Sequence, residues 1–464
     1  MSLRIILAAA ALLAPLPTIA QSLTPQETAR VDALVGAALA KTGTPSASIA
    51  IVRGGRLVLA RAYGKASETM PAATPDLPYQ IASNSKQFTA AAVLLLQRDG
   101  KLSLDDTVAK YLPGISGGER ITIRQLLSHT SGLQDYWPQD YSFAAMATPV
   151  TPQQIVDRWA RKPLDFPPGS QWQYSNTGYV VAGLIVEKLA GEPLLAFLQR
   201  RIFTPLGMAP IDQDVAVGPR YPQGYQRFAL GPVRVERPAA RGWLFAAGEL
   251  AMTPSDLARW DIARMDRTLL APAEWAAQET PVKLTDGTSN GYGLGVQTGS
   301  YKGHKLVSHG GEAVGFLSQN SVLPDDKAAV VVTTNADFGD AYEAITAGLL
   351  DMLVATPDAS GEGAKTARAA HVYEMLQRGT LDRALLTDDA NGYFTPTAIA
   401  DYRTSLGALG RPSSFALLQP ARLRGGFVNR VYKVSYPGRT LTIVTYAEPG
   451  ANGRYEQFLV MPAN

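Results

Sequence analysis

The spacing of apolar positions divides the chain into helix-like and strand-like segments. Between residues 24 and 39 apolar side chains recur every three or four positions, which predicts a helix. Two short strand-like runs, 48–52 and 56–62, flank Arg53-Gly54-Gly55, and this arrangement predicts a hairpin. Residues 87–98 are strongly apolar and favour helix formation, so they predict a buried helix.

The pattern changes in the middle of the chain and again after Gly291. Residues 102–266 alternate helical stretches with long connections rich in proline and glycine, which predicts a mainly helical region. From Gly291 to residue 334, short runs typical of β-strands follow one another, and a helix is predicted near 342–354. Strands at both ends of a helical middle indicate a sheet built from distant parts of the chain.

A small, polar, glycine-containing segment precedes the last hundred residues. It predicts a linker at 356–366, between a domain at 21–355 and a C-terminal domain at 367–464. Within the C-terminal segment, helical patterns come first and strand patterns follow. That order is typical of an α+β domain.

The first twenty residues have the composition of a secretory signal peptide. One basic residue, Arg4, precedes a short apolar run, and Pro15, Pro17 and small residues follow it. The run is well short of the ~20 residues that a membrane-spanning helix needs. We therefore expect residues 1–20 to be removed and the protein to be periplasmic or secreted, without an integral membrane segment. An uncleaved N-terminal anchor is the alternative.

The net charge and the numbers of cysteine and histidine residues limit the kinds of partner and reaction that the sequence supports. With 43 basic and 40 acidic residues the formal net charge is +3, and no polybasic block suggests a nucleic-acid or anionic-membrane partner. The absence of cysteine excludes disulfides and thiol nucleophiles. Four histidines without an H-E-x-x-H pattern do not indicate a metal site, and we expect no cofactor. Hydroxyls, amines and carboxylates remain as the reactive groups.

The first candidate motif is Ser83-Asn84-Ser85-Lys86, at the start of the predicted buried helix. A serine and a lysine three positions apart lie on one face of a helix, where free backbone N–H groups favour negative charge. A lysine shielded from water can have its pKa lowered enough to accept the serine proton. A chain of this length contains roughly one such spacing by chance, and for this motif alone a helix cap beside a solvated lysine is the more common explanation.

Tyr174-Ser175-Asn176 is the second candidate motif and occurs once in the chain. A phenol can move protons when a nearby cation stabilises its anion, and Lys86 could supply that charge. Asn176 offers a donor and an acceptor for a substrate amide. The alternative is a tyrosine packed under a turn, with Asn176 capping the helix predicted from Thr177.

The third candidate motif, His309-Gly310-Gly311, comes at the end of a strand-like run that starts at Lys305, and Glu312 follows it. Paired glycines on a strand allow a ligand or another backbone to come close, as a substrate-binding edge requires. A plain hairpin or bulge would use glycine in the same way.

The three motifs occur once each and in this order, and in that arrangement the chain resembles the penicillin-recognising superfamily. The resemblance is to the branch of class C beta-lactamases, DD-peptidases and serine esterases, and it covers about residues 24–354. Three further stretches carry it: 121–133 (ITIRQLLSHTSGL), 168–176 (PGSQWQYSN) and 292–295 (YGLG).

The resemblance implies a beta-lactamase/transpeptidase-like α/β (α+β) fold. An antiparallel sheet flanked by helices would lie beside an all-helical region, with the site between them and an appended C-terminal α+β domain. It also implies that Ser83 is acylated and that Lys86 and Tyr174 exchange protons.

The same resemblance assigns substrate binding to Asn176, His309, Gly311 and Glu312. The backbone N–H groups of Ser83 and Glu312 would hold the tetrahedral oxyanion. We assign His129, in the 121–133 stretch, to structure rather than catalysis.

One departure from the family pattern bears on the substrate. Dedicated beta-lactamases have Lys-Thr-Gly where this chain has His309-Gly310-Gly311, and that lysine serves a substrate carboxylate. A histidine is largely neutral at pH 7 and is similar to the one in D-aminopeptidase and esterase-like members. The literal Lys41-Thr42-Gly43 precedes Ser83 in the chain, and we interpret it as a helix C-cap.

We therefore expect an exported serine hydrolase that cleaves an amide or ester of a small molecule or short peptide, including peptides of D-amino acids. Two alternatives stay open. One is a beta-lactamase or D-alanyl-D-alanine carboxypeptidase proper. The other is a catalytically silent protein that binds or senses a cell-wall ligand. The sequence leaves the oligomeric state open.

Overall fold

The computed structural model describes residues 22–137, 144–354 and 361–463. They fall into two compact units, one up to residue 356 and one from residue 357. The predicted signal peptide, residues 1–20, lies outside the described residues, as does the first part of the predicted linker. Within the described ranges, no helix combines the length and apolar character needed to cross a bilayer.

The N-terminal unit combines helices with short and long strands. Its helices are α1 (Pro25–Thr42), α2 (Lys86–Arg98), α3 (Ile123–Leu127), α4 (Pro152–Ile155), α5 (Asn176–Ala190), α6 (Leu194–Leu198), α7 (Pro254–Asp266), α8 (Pro272–Glu279) and α9 (Ala341–Leu353). Its strands are β1 (Ser46–Arg53), β2 (Arg56–Gly64), β3 (Tyr79–Gln80), β4 (Ile211–Asp212), β5 (Tyr225–Arg227), β6 (Val233–Val235), β7 (Leu250–Met252), β8 (Gln297–Tyr301), β9 (His304–Ala313), β10 (Phe316–Leu323) and β11 (Ala328–Thr334).

Six strands form one antiparallel sheet in the order β2-β1-β11-β10-β9-β8. The N-terminal hairpin joins the late strands through β1 and β11, where Ile49 faces Val332. The predicted sheet from distant chain segments is therefore present. The smaller sheet β3-β7-β4 lies beside the turn that carries Ser83.

The central strands bury both faces. On β11, Val330 and Val332 pack with α1 and α9, whereas Val331 packs with the core of the helical region. Successive strand residues point to opposite faces, so one strand contributes to both cores. This accounts for the nearly continuous apolar runs in β1 and β11.

Helix α2 lies at the centre of the larger core, as its composition predicts. All its residues from Lys86 to Leu96 are buried. Helix α1 begins at a capping box between Thr24 and Glu27. It ends at Gly43, whose φ of 78° and N–H bond to the Leu39 carbonyl oxygen confirm the predicted C-cap.

The C-terminal unit has helices first and an antiparallel sheet afterwards. Its elements are α10 (Glu362–Arg378), α11 (Asp388–Tyr393), α12 (Pro396–Gly407), β12 (Ser414–Leu417), β13 (Arg422–Arg424), β14 (Phe427–Tyr436), β15 (Arg439–Ala447) and β16 (Tyr455–Pro462). It has a core of its own, built around Tyr373, Leu376, Phe394, Tyr432 and Ile443.

One local prediction was wrong. Residues 362–366, predicted as linker, form the start of α10, because Glu362 accepts two hydrogen bonds from Arg430 on β14 at 2.6 and 2.8 Å. The stabilising partner of this helix start is therefore distant in sequence. The segment 309–311 lies on a strand, as predicted, and it belongs to β9, which pairs with β10.

Candidate active site

Ser83 lies in a tight 3₁₀ turn, Ala82–Ser85, that leads directly into α2. Ala82 has a φ of 48°, a left-handed conformation that is strained for a residue with a Cβ atom. The turn is held because Ile81 bonds to β7 through its N–H and accepts a hydrogen bond from Ser318 Oγ on β10. Strain of this kind concentrates at functional sites, and here it leaves Ser83 partly exposed.

Lys86 is completely buried, and its amine reaches three oxygen atoms. Nζ lies 2.9 Å from Ser83 Oγ, 2.7 Å from Asn176 Oδ1 and 2.7 Å from the Ala247 carbonyl oxygen. Burial lowers its pKa to about 7, and the charge of Asp135 acts against that change. Near neutral pH a large fraction of Lys86 is therefore an uncharged amine able to accept the serine proton.

The Tyr174 hydroxyl is hydrogen-bonded to Ser83, and Lys86 Nζ lies 4.8 Å from the centre of the tyrosine ring. Burial raises the pKa of Tyr174 far above its usual value, despite the opposing hydrogen bond from Ser83. Tyr174 is therefore a protonated phenol at neutral pH. The three groups predicted to share protons lie together.

Asn176 begins α5 but does not cap it, since Ser175 Oγ accepts the hydrogen bond from Gly178 N–H. The Asn176 side chain is thus available to Lys86 on one side and Asp135 on the other. Its backbone N–H and its Nδ2 bond to the Asp135 carboxylate at 2.9 and 3.0 Å. Asp135 was not found by sequence reasoning, because it lies in a loop without periodicity.

His309 and Gly311 both lie on β9, facing the turn of Ser83. His309 Nε2 is 2.8 Å from Tyr292 Oη, and its Nδ1 bonds to the Gly310 carbonyl oxygen. Burial and the nearby Lys86 lower the pKa of His309 to about 4, so the ring is neutral at pH 7. Tyr292 is a partner that the sequence did not reveal.

His129 lies behind Tyr174, with ring centres 4.1 Å apart. Its Nδ1 accepts a hydrogen bond from Ser175 N–H at 3.1 Å, so it holds the loop that carries Tyr174. This contact agrees with the structural role predicted for it.

These groups border a cavity of about 490 Å³. Aromatic and aliphatic side chains form much of its wall: Trp137, Trp172, Leu244, Leu317 and Tyr342. Among the described lining residues, Glu312 is the one acidic side chain. Nor do the described residues bring together three histidine, aspartate or glutamate side chains that could hold a metal ion.

Comparison with known sequences identifies the family. The sequence model of the beta-lactamase family matches residues 31–355, well over half of the chain. The chain belongs to the beta-lactamase family. The superfamily and fold class predicted from the sequence are confirmed, and membership indicates an enzyme of the serine-hydrolase class.

Three relatives show where in this family the chain lies. Penicillin-binding protein 4* of Bacillus subtilis is 31% identical over 299 residues, which cover 61% of this chain and 65% of that protein. A D-aminopeptidase of Brucella anthropi is 30% identical over 306 residues, covering 64% and 57%. The solved D-stereospecific amidohydrolase from a Streptomyces species is 30% identical with a TM-score of 0.60, covering 68% and 96%. This beta-lactamase-family chain thus spans less than two thirds of the length of the first two relatives.

Proposed function

We propose that this protein is an exported serine hydrolase that cleaves an amide or ester bond through an acyl-enzyme on Ser83. The observation that carries the proposal is the 2.9 Å contact between Ser83 Oγ and a fully buried lysine whose pKa burial lowers to about 7. A serine becomes nucleophilic when a positioned base takes its proton. Lys86 meets that requirement in both distance and protonation state.

In the proposed acylation step, Ser83 Oγ attacks the substrate carbonyl carbon while its proton passes to Lys86 Nζ. The N–H groups of Ser83 and Glu312 stabilise the resulting oxyanion, an effect worth ~3 kcal/mol for one such donor. Tyr174, protonated at neutral pH, gives its proton to the leaving amine or alcohol and is reprotonated from Lys86. The C–N or C–O bond then breaks and Ser83 carries the acyl group.

Deacylation reverses these roles. Water enters in place of the leaving group and transfers a proton to the neutral amine of Lys86 as it attacks the acyl carbon. Ser83 recovers its proton when the ester bond breaks. The one protonated phenol and the one low-pKa amine at the serine are sufficient for both half-reactions.

The favoured substrates are amides of D-amino acids and short D-peptides. Two of the relatives are named as a D-aminopeptidase and a D-stereospecific amidohydrolase. The lining of the cavity supports that choice, because His309 is neutral and Glu312 supplies an acidic side chain. Such a wall attracts an ammonium group and repels a carboxylate.

The same observation counts against a beta-lactamase or a D-alanyl-D-alanine carboxypeptidase, whose substrates carry a carboxylate. The contact of Lys86 with Ser83 argues against a catalytically silent binding protein. A site that only binds a ligand needs no buried amine of lowered pKa beside a hydroxyl. Neither alternative is favoured by a specific contact in the site.

A substrate panel tests the proposal. D-amino-acid anilides, nitrophenyl esters and a chromogenic cephalosporin would be incubated with wild type and with Ser83→Ala. We expect turnover of at least one anilide or ester, absent in the variant, and a mass increase on Ser83 after treatment with a fluorophosphonate. No turnover and no labelling of the wild type would reject the hydrolase in favour of the binding protein.

A further inference from the structure

Asp135 determines which way the Asn176 side chain faces. The carboxylate accepts the Asn176 backbone N–H at 2.9 Å and its Nδ2 at 3.0 Å. An ionised carboxylate only accepts hydrogen bonds, so the amide must turn its nitrogen to Asp135. Its oxygen is then directed to Lys86 Nζ, at 2.7 Å. Without Asp135 the amide could rotate and place its NH₂ group against the amine.

Asp135 also acts on the charge of Lys86. The aromatic and imidazole groups around the amine are uncharged at neutral pH, because burial raises the pKa of Tyr174 and Tyr179 and lowers the pKa of His129 and His309. Burial raises the pKa of Asp135, and the increase is limited by its bonds to the N–H groups of Trp137 and Asn176 and by the charge of Lys86. Within the described part of the chain, the Asp135 carboxylate is the charged group that acts on Lys86.

We propose that Asp135 is a positioning residue, which orients the Asn176 amide toward Lys86 and stabilises the protonated form that Lys86 takes after accepting the Ser83 proton. Asp135 itself lines no part of the described cavity wall and acts through Asn176. The inference rests on the proposed function, since it concerns the same acylation step.

Two substitutions separate the charge of Asp135 from its geometry. Asp135→Asn removes the charge at nearly unchanged size, whereas Asp135→Glu keeps the charge and displaces the carboxylate. Asp165→Asn is the matched control, because Asp165 is an exposed carboxylate that bonds to the Gln173 side chain and not to the site. The measurement is the rate constant for fluorophosphonate labelling of Ser83 from pH 5 to 9, with circular dichroism to verify folding.

We expect Asp135→Asn to move the acid-side midpoint of the labelling rate down by about 1 pH unit and to lower the maximal rate at least ~10-fold. Asp135→Glu should keep the midpoint and lower the maximal rate, and Asp165→Asn should change neither. An unmoved midpoint and an undiminished rate in folded Asp135→Asn would overturn the inference.

If Asp135→Asn does not fold, the labelling rate of Asp135→Glu tests the positioning role instead. A reduced maximal rate at an unmoved midpoint supports positioning, and a wild-type rate overturns it. Failure of the wild type to label at all would reject the proposed function instead, so the two failures are distinguishable.

Discussion

A Cβ atom on Gly311 would lie 2.1 Å from the carbonyl oxygen of Ile81 and 2.3 Å from Ser318 Oγ. Both distances are far below 3.0 Å, the shortest separation that Cβ atoms normally show from other heavy atoms. Ile81 lies two residues before Ser83, so the absence of a side chain at Gly311 lets β9 lie directly against the turn that carries Ser83. The neighbouring Gly310 has no such restriction, since its nearest atom is the Gln319 side-chain oxygen at 3.3 Å.

Gly311→Ala should therefore lower kcat/KM at least ~100-fold and destabilise the fold by about 1–3 kcal/mol, because β9 or the turn must shift. Gly310→Ala is the matched control and should stay within a few-fold of wild type, because the end of a flexible side chain can move away. Steady-state kinetics and thermal melting check both. Wild-type kinetics in Gly311→Ala would show that β9 does not need this close approach.

The pH dependence of acylation should report Lys86. Below a pH of about 7 the amine is protonated and cannot accept the Ser83 proton, so kcat/KM should rise with pH and level off above that value. The slope on the acid side should be about tenfold per pH unit. A profile that levels off near pH 4 would assign the dependence to His309, whose pKa lies at about 4, rather than to Lys86.

Tyr174→Phe should keep the fold and lower turnover of the best substrate at least ~100-fold, which is the scale of acid–base catalysis. The loss should be larger for anilides than for nitrophenyl esters, because a nitrophenolate leaves without a proton. Equal activity of variant and wild type on an anilide would remove Tyr174 from the proposed mechanism.

Glu312→Gln should change the charge preference and leave the chemistry intact, because the backbone N–H at that position is retained. We expect kcat/KM for amides with a free ammonium group to fall by about 2- to 5-fold, the range of an exposed ion pair. Neutral esters of similar size serve as the control and should be unaffected. A parallel loss on neutral and cationic substrates would mean that the side chain supports the site rather than selecting its ligand.

Because Asp261 is fully buried, we expect the free energy of unfolding to fall as the pH rises. Burial raises its pKa to about 8, although Arg264 and the hydrogen bond from Asn320 oppose the change. Below a pH of about 4, the pKa of the carboxyl in the unfolded chain, Asp261 is protonated in both states and its contribution to stability is fully present. As the pH rises toward 8, the unfolded chain ionises this carboxyl more readily than the folded protein does, so that contribution is lost.

Asp261→Asn should remove this part of the pH dependence, because an amide cannot ionise and its oxygen can still accept from Asn320. Above pH 8 the variant should be more stable than wild type by roughly 1–3 kcal/mol, the cost of a buried, incompletely bonded polar group. Urea unfolding at pH 5, 7 and 9 measures the difference. Parallel stability curves for the two proteins would contradict the assignment.

The local pattern of apolar and polar residues predicted much of the secondary structure. The apolar run of 87–98 predicted a buried helix, and the late strand-like runs predicted strands of the main sheet. These predictions succeed because helical and strand periodicity are properties of neighbouring residues. The order of three motifs also placed Ser83, Lys86, Tyr174 and Asn176 in one site, which the distances around Lys86 Nζ agree with.

The sequence by itself thus determined the types of secondary structure, the family and the candidate reactive side chains of this protein. Only the tertiary structure decided the orientation and the pKa values of those side chains. Asp135 reaches Asn176 across 41 positions of the chain, and Ala247 meets Lys86 across 161. The pKa of Lys86 follows from its burial among such partners, and neither burial nor orientation can be derived from the neighbours of a residue along the chain.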